Sequence, residues 1–238
     1  MCIRDSCNID AQALRNSPVP VKVQLGAKGE GAGNIPEVAK KLAEESAAEV
    51  EALFDDNTRM AFITAGMGGG TGTGAAPVVA RIAKEKGVLT VGIVTIPFLF
   101  EGEPKILQAF AGVEEMRKHV DALLVINNER LCKIYPDLSW TTAFAKADDS
   151  LSNAARSIAE LVSKDGKINL DFADVRTTLK DGGAAVISTG SGEGEHRMSR
   201  AIQNALTSPL LKESDIYGAE RVPVSYTHLR AHETRSNL

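Results

Sequence analysis

Short runs of β-branched residues alternate with amphipathic runs along the chain. Apolar runs begin near residues 60, 89 and 122, and in the segments between them apolar residues recur every three or four positions. A buried strand followed by an amphipathic helix, repeated along a sequence, is typical of a parallel sheet covered by helices. The pattern therefore predicts the α/β class.

The same pattern sets the bounds of the predicted elements. Strands are predicted at 60–65, 89–96, 122–126 and 184–189, with a last strand that starts near 221. Helices are predicted at 36–54, 75–86, 106–119, 141–164, 172–180 and 197–206. The helix at 141–164 would be about 36 Å long, which is enough to cross a whole domain. We therefore expect two lobes joined by this long helix.

The composition is that of a globular protein with enough chain for a core. The 238 residues are 43% hydrophobic and 24% charged, and 27 Lys and Arg against 31 Asp and Glu give a net charge of −4. No block of Lys and Arg provides the electrostatic footprint of a protein that binds nucleic acid or an anionic membrane. Neither kind of partner is expected.

Cysteines and apolar runs indicate the cellular setting. Cys2, Cys7 and Cys132 form no CxxC pair and no cluster with His, so neither a disulfide framework nor a zinc site is expected. The most apolar stretch, 87–100, is too short to cross a bilayer, and the N-terminus has no signal-peptide pattern. These features favour a reducing cytoplasm without membrane insertion.

A glycine-rich run lies between a predicted strand and a predicted helix. Glycines let the backbone approach a ligand closely and a helix N-terminus attracts anions, so the run favours a phosphate, with Thr71 and Thr73 as hydroxyl donors. The Walker motif is excluded because no lysine follows the run before Lys84. The alternative is that the glycines only make a tight turn. The run reads Gly66-Met67-Gly68-Gly69-Gly70-Thr71-Gly72-Thr73-Gly74.

The same run contains a weaker match to dinucleotide-binding proteins. Gly70, Gly72 and Ala75 satisfy the pattern G-x-G-x-x-A, so an NAD-type oxidoreductase is one alternative function. The strand that follows ends in Thr95-Ile96-Pro97, without the acidic residue that would bind a ribose hydroxyl. This alternative therefore lacks its second feature.

Acidic residues supply two further candidate sites. Asp171 and Asp174 would lie on one face at a helix start, where they could hold a water for attack on a phosphoryl group. The same spacing equally fits a capping box. On the long helix, Phe144 could stack on a base while Asp148, beside Asp149, accepts hydrogen bonds from a guanine edge. The alternative makes Phe144 a core residue and the carboxylates solvated.

Several motifs together resemble the tubulin-like GTPases, in the branch that acts in bacterial cell division. The resemblance covers about 7–222 and implies a parallel-sheet GTP-binding domain at 7–140, a central helix at 141–165 and a partial second α/β domain at 166–222. It also implies GTP hydrolysis, head-to-tail filaments of the protein itself, and a place at the mid-cell division ring. The motifs are NIDAQAL, KGEGAGNIPEV, GGGTGTGAAPV, PFLFEG, NLDFADVRT and SPLL.

The resemblance also assigns roles to residues. It implies that Glu101 contacts the ribose, that Lys105 takes a place where the family often has arginine, and that Phe144 and Asp148 recognise guanine. Asn169, Asp171 and Asp174 match the loop that activates water in the neighbouring subunit's site. A Mg²⁺ ion could accompany the nucleotide, but the sequence identifies no dedicated metal ligands. The phosphates would be held by Gly68, Gly69, Gly70, Thr71, Gly72, Thr73 and Gly74.

The chain departs from the family pattern in several places. The family's first strand, first glycine-rich loop and first helix are missing, and Ile35 and Ala39 replace a usual Asn and Gly. The rest of the second domain is missing too, with the tail that recruits membrane anchors and other division proteins. Residues 1–6 and 223–238 are interpreted as non-native flanks. A non-enzymatic fragment that only associates with filaments therefore remains another alternative.

Overall fold

The computed structural model describes residues 4–135, 139–163, 171–207 and 221–222. The strands are β1 (Asp5–Asn8), β2 (Val21–Gln24), β3 (Met60–Gly66), β4 (Leu89–Ile96), β5 (Ala122–Asn127) and β6 (Gly183–Ala185). The helices are α1 (Ala11–Asn16), α2 (Pro36–Glu45), α3 (Ala47–Glu51), α4 (Gly70–Glu85), α5 (Glu103–His119), α6 (Glu129–Ile134), α7 (Trp140–Ser163), α8 (Phe172–Leu179) and α9 (Arg197–Leu206). A 3₁₀ turn covers Leu99–Glu101.

Every strand pair in the described chain is parallel. β1 pairs with β2 in a small sheet, and β3, β4, β5 and β6 form a second sheet in that order. Gly66 is opposite Thr95, and Thr95 is opposite Ile126, so the carboxyl ends of β3, β4 and β5 meet at one edge. Parallel strands followed by helices place their functional loops at this carboxyl edge.

Helix α4 is the centre of one helical layer. It packs between α2 and α5 and against β3 and β4. β4 is buried along its whole length, as its mainly apolar sequence predicts for a strand covered on both faces. On the other face, small residues of α7 (Ala143, Ala147 and Ala154) are buried, and Ala154 and Ile158 pack with Val91, Ile93, Ala122 and Leu124.

Several predicted elements are confirmed to within one residue at each end. β4 and α9 have the predicted bounds, and α7 differs by a single residue at each end. The predicted helix at 36–54 is wrong in one respect, because it breaks at Ser46 into α2 and α3. The Ser46 hydroxyl accepts a hydrogen bond from the amide of Gly26, 20 residues away, and periodicity carries no trace of such a contact.

Other boundaries are corrected by tertiary packing. Helix α4 starts at Gly70 instead of residue 75, so most of the glycine-rich run is helical. The strand predicted at 184–189 is the shorter β6, and it pairs with β5 in the main sheet. Residues 221–222 are not a strand, and the rest of that predicted strand lies outside the described residues.

Four elements were not predicted, namely β1, α1, β2 and α6. Asp5 and Ser6, which the sequence analysis assigns to a non-native flank, form half of β1 and pair with Val21 and Lys22. These elements have four or six residues each, too few for a periodic signal. Within the described ranges, no helix has the length and apolar character needed to span a membrane.

Candidate functional site

The turn from β3 into α4 lies at the carboxyl edge of the main sheet. Gly68 has φ +99, and a Cβ there would be 2.6 Å from Cγ of Pro97 and 2.9 Å from the carbonyl oxygen of Lys105. The amide of Gly68 donates to the buried hydroxyl of Thr73 at 2.9 Å. Only glycine fits this conformation and this space, so the turn is fixed by its neighbours.

The helical glycines are required by close packing of backbone. A Cβ on Gly72 would overlap the carbonyl oxygen of Gly66, and one on Gly74 would overlap that of Pro36. The glycine-rich run therefore lets α4 lie directly against β3 and α2, a role that the sequence analysis did not foresee. The N-cap of α4 is Gly69, which has no side chain to cap the helix. The first amides of α4 thus begin at the carboxyl edge without a side-chain acceptor from the cap.

The turn after β4 places Glu101 and Lys105 beside this helix start. One oxygen of Glu101 accepts from the amide of Phe98 at 3.0 Å, and the other is 3.3 Å from the ammonium of Lys105. Glu129, at the start of α6, accepts from the amide of Leu99 at 3.0 Å. The carboxylates of Glu101 and Glu129 therefore fix the 3₁₀ turn.

Phe144 and Asp148 come to the same edge on the long helix α7. Phe144 is 42% exposed and meets Phe98 edge-on, with ring centroids 5.4 Å apart. Phe98 in turn stacks on Phe100 at 4.8 Å. Asp148 follows one helical turn later and is exposed. The alternative that makes Phe144 a core residue does not fit this exposure, because a large part of the ring is open to solvent.

Asn128 is a candidate that the sequence analysis missed. Its side chain is buried, and its backbone amide donates to the carbonyl of Ile96 at 3.2 Å. The side-chain oxygen Oδ1 has no hydrogen-bond partner among the described residues. A buried polar atom without a partner is uncommon and calls for an explanation. The available signal was the polar run Asn127-Asn128-Glu129 directly after a buried strand, at the edge where the glycine-rich turn lies.

A loop from the small sheet covers the start of α4. A Cβ on Gly70 would be 3.0 Å from the amide nitrogen of Ile35, which shows how closely the two segments approach. Gln108 of α5 donates to the carbonyls of Gly68 at 3.1 Å and Asn34 at 3.4 Å, and so joins this loop to the turn. Ile35 is the N-cap of α2 and makes no side-chain capping bond. It therefore does not replace the polar side chain of the Asn that is usual at this position.

Asp171 and Asp174 lie at the opposite edge. The Asp171 carboxylate accepts from the amide of Asp174 at 2.9 Å, and the Asp174 carboxylate accepts from the amide of Asp171 at 3.3 Å, which is a complete capping box. Phe172 stacks under Arg59, with the guanidinium carbon 4.0 Å from the ring centroid. Arg59 directly precedes β3, so these aspartates belong to the amino edge of the sheet. Asn169 lies outside the described residues.

Comparison with known proteins shows which family carries this arrangement. The family model for the GTPase domain of the tubulin/FtsZ family matches residues 5–136, which include the glycine-rich turn, Glu101, Lys105 and Asn128. The chain belongs to the tubulin/FtsZ family. The match starts at residue 5, so Asp5 and Ser6 lie within the family domain.

Individual members of the tubulin/FtsZ family agree with this assignment. The chain is 64% identical to the cell division protein FtsZ of Porphyromonas gingivalis over 91% of its length and 48% of that protein. Cell division protein FtsZ 1 of Methanocaldococcus jannaschii is 46% identical over 89% of this chain and 58% of that protein. The chain thus spans about half to three-fifths of the length of these relatives.

Solved structures of the tubulin/FtsZ family have the same fold. An empty FtsZ dimer of M. jannaschii matches with a TM-score of 0.81 and 45% identity, over 87% of this chain and 61% of that one. A GTPγS-bound protofilament of CetZ2 from Haloferax volcanii matches with a TM-score of 0.69 and 25% identity, over 86% and 61%. Nothing in these matches supports the NAD-type oxidoreductase alternative.

Proposed function

We propose that this chain is part of a GTP-binding and GTP-hydrolysing protein that assembles head to tail in bacterial cell division. The family supports a nucleotide-binding function, and the FtsZ dimer and the CetZ2 protofilament among the similar structures support self-assembly. The observation that carries the proposal is the separation of two groups of residues. The phosphate-binding turn is at one edge of the sheet, and the paired aspartates are at the other.

The phosphates are held by the turn at 68–74. This proposal is supported by the uncapped N-terminus of the 16-residue helix α4, whose dipole and free amides attract an anion. Thr71 is partly exposed and can donate its hydroxyl to a phosphate oxygen, whereas the Thr73 hydroxyl also holds the amide of Gly68. Gly68, Gly69, Gly70, Gly72 and Gly74 keep side chains out of the space next to this backbone.

Guanine is recognised by Phe144 and Asp148. The Asp148 carboxylate is exposed, one helical turn from the open ring of Phe144, and a carboxylate can accept from both N1–H and N2–H₂ of guanine. Adenine lacks the guanine pair of donors, so it would leave Asp148 unpaired. Glu101 and Lys105 then flank the ribose.

Water activation comes from a second subunit. β3 has seven residues and spans about 20 Å, so aspartates at the amino edge are too far to reach phosphates at the carboxyl edge of the same subunit. In a head-to-tail pair the amino edge of one subunit faces the carboxyl edge of the next. Asp171 and Asp174, with Asn169, can then polarise a water for in-line attack on the terminal phosphoryl group.

The test uses two substitutions that separate catalysis from helix capping. Asparagine caps a helix as well as aspartate does, so Asp171→Asn keeps the cap and removes the charge, while Asp171→Ala removes both. We expect both to lower GTP turnover about 100-fold or more, with binding of a fluorescent GTP analogue unchanged. Full turnover by Asp171→Asn would reject a catalytic role for this carboxylate.

Mixing two inactive variants tests whether the site is shared. Asp148→Ala damages the nucleotide edge and Asp171→Asn damages the aspartate edge. In an equal mixture, one of the four kinds of interface joins the intact nucleotide edge of an Asp171→Asn subunit to the intact aspartate edge of an Asp148→Ala subunit. We expect the mixture to regain about a quarter of the wild-type rate per subunit. The same measurements are made on the full-length P. gingivalis relative with matching substitutions. A chain that binds GTP but never turns it over would instead be the non-enzymatic fragment.

A further inference from the structure

Helix α5 presents large apolar side chains to solvent. Leu107 is 61% exposed and Phe110 is 51% exposed, while Ala109 and Met116 on the inner face of the same helix are fully buried. The inner face packs on α4 and β4, so the orientation of the helix is fixed. An exposed phenylalanine one turn from an exposed leucine is unusual on a surface helix and is typical of a contact surface.

The exposed side of α5 has the spacing of a helix–helix seam. Glu103, Leu107, Phe110, Glu114 and Arg117 are exposed and follow one another in steps of four, three, four and three residues. Alternating steps of three and four keep side chains in one line along a helix that packs lengthwise on another helix. We call this line the α5 seam.

Two copies of the α5 seam have complementary charges when the two helices lie antiparallel. Glu103 is at the N-terminal end and Arg117 at the C-terminal end, with Phe110 midway between them. In an antiparallel pair of α5 helices, Phe110 meets its own copy, Leu107 meets the stem of Glu114, and Glu103 meets Arg117. Antiparallel helix dipoles also attract each other.

The residues at the ends of the seam are available for such pairing. Glu103 has no ion-pair partner within the described part of the chain, and Arg117 has only a long contact of 4.0 Å with Glu114. Lys118 is held by Glu115 at 2.7 Å, so it does not compete for Glu103.

We propose that the α5 seam binds a second copy of this chain in an antiparallel arrangement. The seam runs along the outer face of the helical layer, and the contact between two seams does not require a nucleotide. A 17-residue helix is about 25 Å long, and two such seams bury less than the area of a stable dimer. The isolated contact is therefore weak, with a Kd on the order of 0.1–1 mM. Given the proposed head-to-tail filaments, repetition along a filament would strengthen side-by-side association.

The first test measures self-association by sedimentation equilibrium in EDTA, without nucleotide. Phe110→Glu places a charge at the centre of the seam, and we expect it to raise the dimer Kd at least 10-fold. Val38→Glu, at an exposed apolar position on α2, is the matched control and should leave Kd unchanged. Equal weakening by both variants, or a wild-type chain that stays monomeric to 1 mM by this criterion, overturns the proposal.

The second test exchanges the charges and is independent of Phe110. Glu103→Lys and Arg117→Glu each oppose like charges in both halves of an antiparallel dimer, and we expect each variant alone to associate about 5-fold more weakly. An equal mixture of the two restores opposite charges at both ends of a mixed pair, so wild-type affinity should return. A mixture no tighter than either variant overturns the antiparallel seam.

The two tests also distinguish this contact from head-to-tail assembly. Assembly driven by GTP should persist in Phe110→Glu if only the seam is lost, and the seam should persist in Asp171→Asn if only the catalytic edge is wrong. Thermal melts of each variant accompany the measurements. Loss of thermal stability in Phe110→Glu with unchanged self-association would mean that the face packs within its own chain, and would also overturn the proposal.

Discussion

At the carboxyl edge of the main sheet the glycine-rich turn is packed through backbone, whereas at the amino edge the starts of β4 and β5 are joined by a buried carboxylate. At the carboxyl edge, Gly72 lies against the carbonyl of Gly66 with no space for a methyl group. At the amino edge, the buried carboxylate of Asp121 accepts from the amide of Thr90 at 2.9 Å and is 3.5 Å from the ammonium of Lys84.

This difference predicts how well each edge tolerates substitutions. Backbone cannot move aside without breaking the sheet or the helix, so a packed glycine has no conservative replacement. A side-chain hydrogen bond can be kept by another acceptor of similar shape, so a carboxylate can be replaced at modest cost. Substitutions should therefore be tolerated less well at the carboxyl edge than at the amino edge.

The largest effect on stability is expected for Gly72→Ala. The added methyl group would overlap the carbonyl of Gly66, so α4 must separate from β3, and we expect a loss of about 3 kcal/mol or more in the free energy of unfolding. Gly69→Ala is the control, because a Cβ there has its nearest neighbour 3.9 Å away. Urea denaturation measures both. A Gly72→Ala protein as stable as Gly69→Ala would contradict the packing role.

A smaller effect is expected at the amino edge for Asp121→Ala. The change leaves the buried amide of Thr90 without an acceptor and takes one partner from Lys84, so we expect a loss of about 2–3 kcal/mol. Asp121→Asn keeps an acceptor oxygen and should lose about half as much. Urea denaturation at constant salt measures both variants. Equal losses would show that the charge of Asp121, and not its hydrogen bond to Thr90, holds this edge.

Capping by Asp171 should contribute less than these buried contacts. Both members of the capping box are exposed, so we expect Asp171→Ala to lose about 1 kcal/mol in the free energy of unfolding. Asp171→Asn should lose only a few tenths of a kcal/mol because asparagine is an equally good cap. Thermal and urea unfolding of the pair provide the measurement. A large loss for the asparagine variant would indicate that the charge itself stabilises the amino edge.

The smallest expected effect is on the pH dependence of stability, and it comes from Glu115 on α5. Hydrogen bonds from Lys118 and Lys40 lower the pKa of Glu115 to about 2. Because this pKa is lowered on folding, the stability it contributes is present above the ordinary carboxyl pKa near 4.5 and is lost as pH falls towards 2. Glu115 is partly exposed, so the contribution is small.

Comparison with Glu115→Gln measures that contribution. The unfolding free energy of the wild-type chain is expected to fall more steeply between pH 5 and pH 2 than that of Glu115→Gln. High salt should reduce the difference because exposed ion pairs are screened. Parallel pH profiles for the two proteins would show that the ion pairs from Glu115 to α2 and along α5 add no stability.

The sequence by itself determined the class of the fold and its long elements. The strand β4 is mainly apolar along its length, and such a pattern favours burial of both faces. The helix α7 has a periodic apolar pattern, which favours burial of one face. The glycine-rich run also marked the turn from β3 into α4, where its glycines are needed for close backbone packing. The short elements β1, β2 and α6 had too few residues for a pattern.

Only the tertiary structure decided how these parts meet. It assigned Gly72 and Gly74 to contacts with the carbonyls of Gly66 and Pro36, which depend on residues brought close by the sheet and by α2. It also left Oδ1 of Asn128 buried without a hydrogen-bond partner among the described residues and set Phe172 under Arg59 at the amino edge. Such facts depend on distances between segments remote in sequence, and local propensity and periodicity contain no information about those distances.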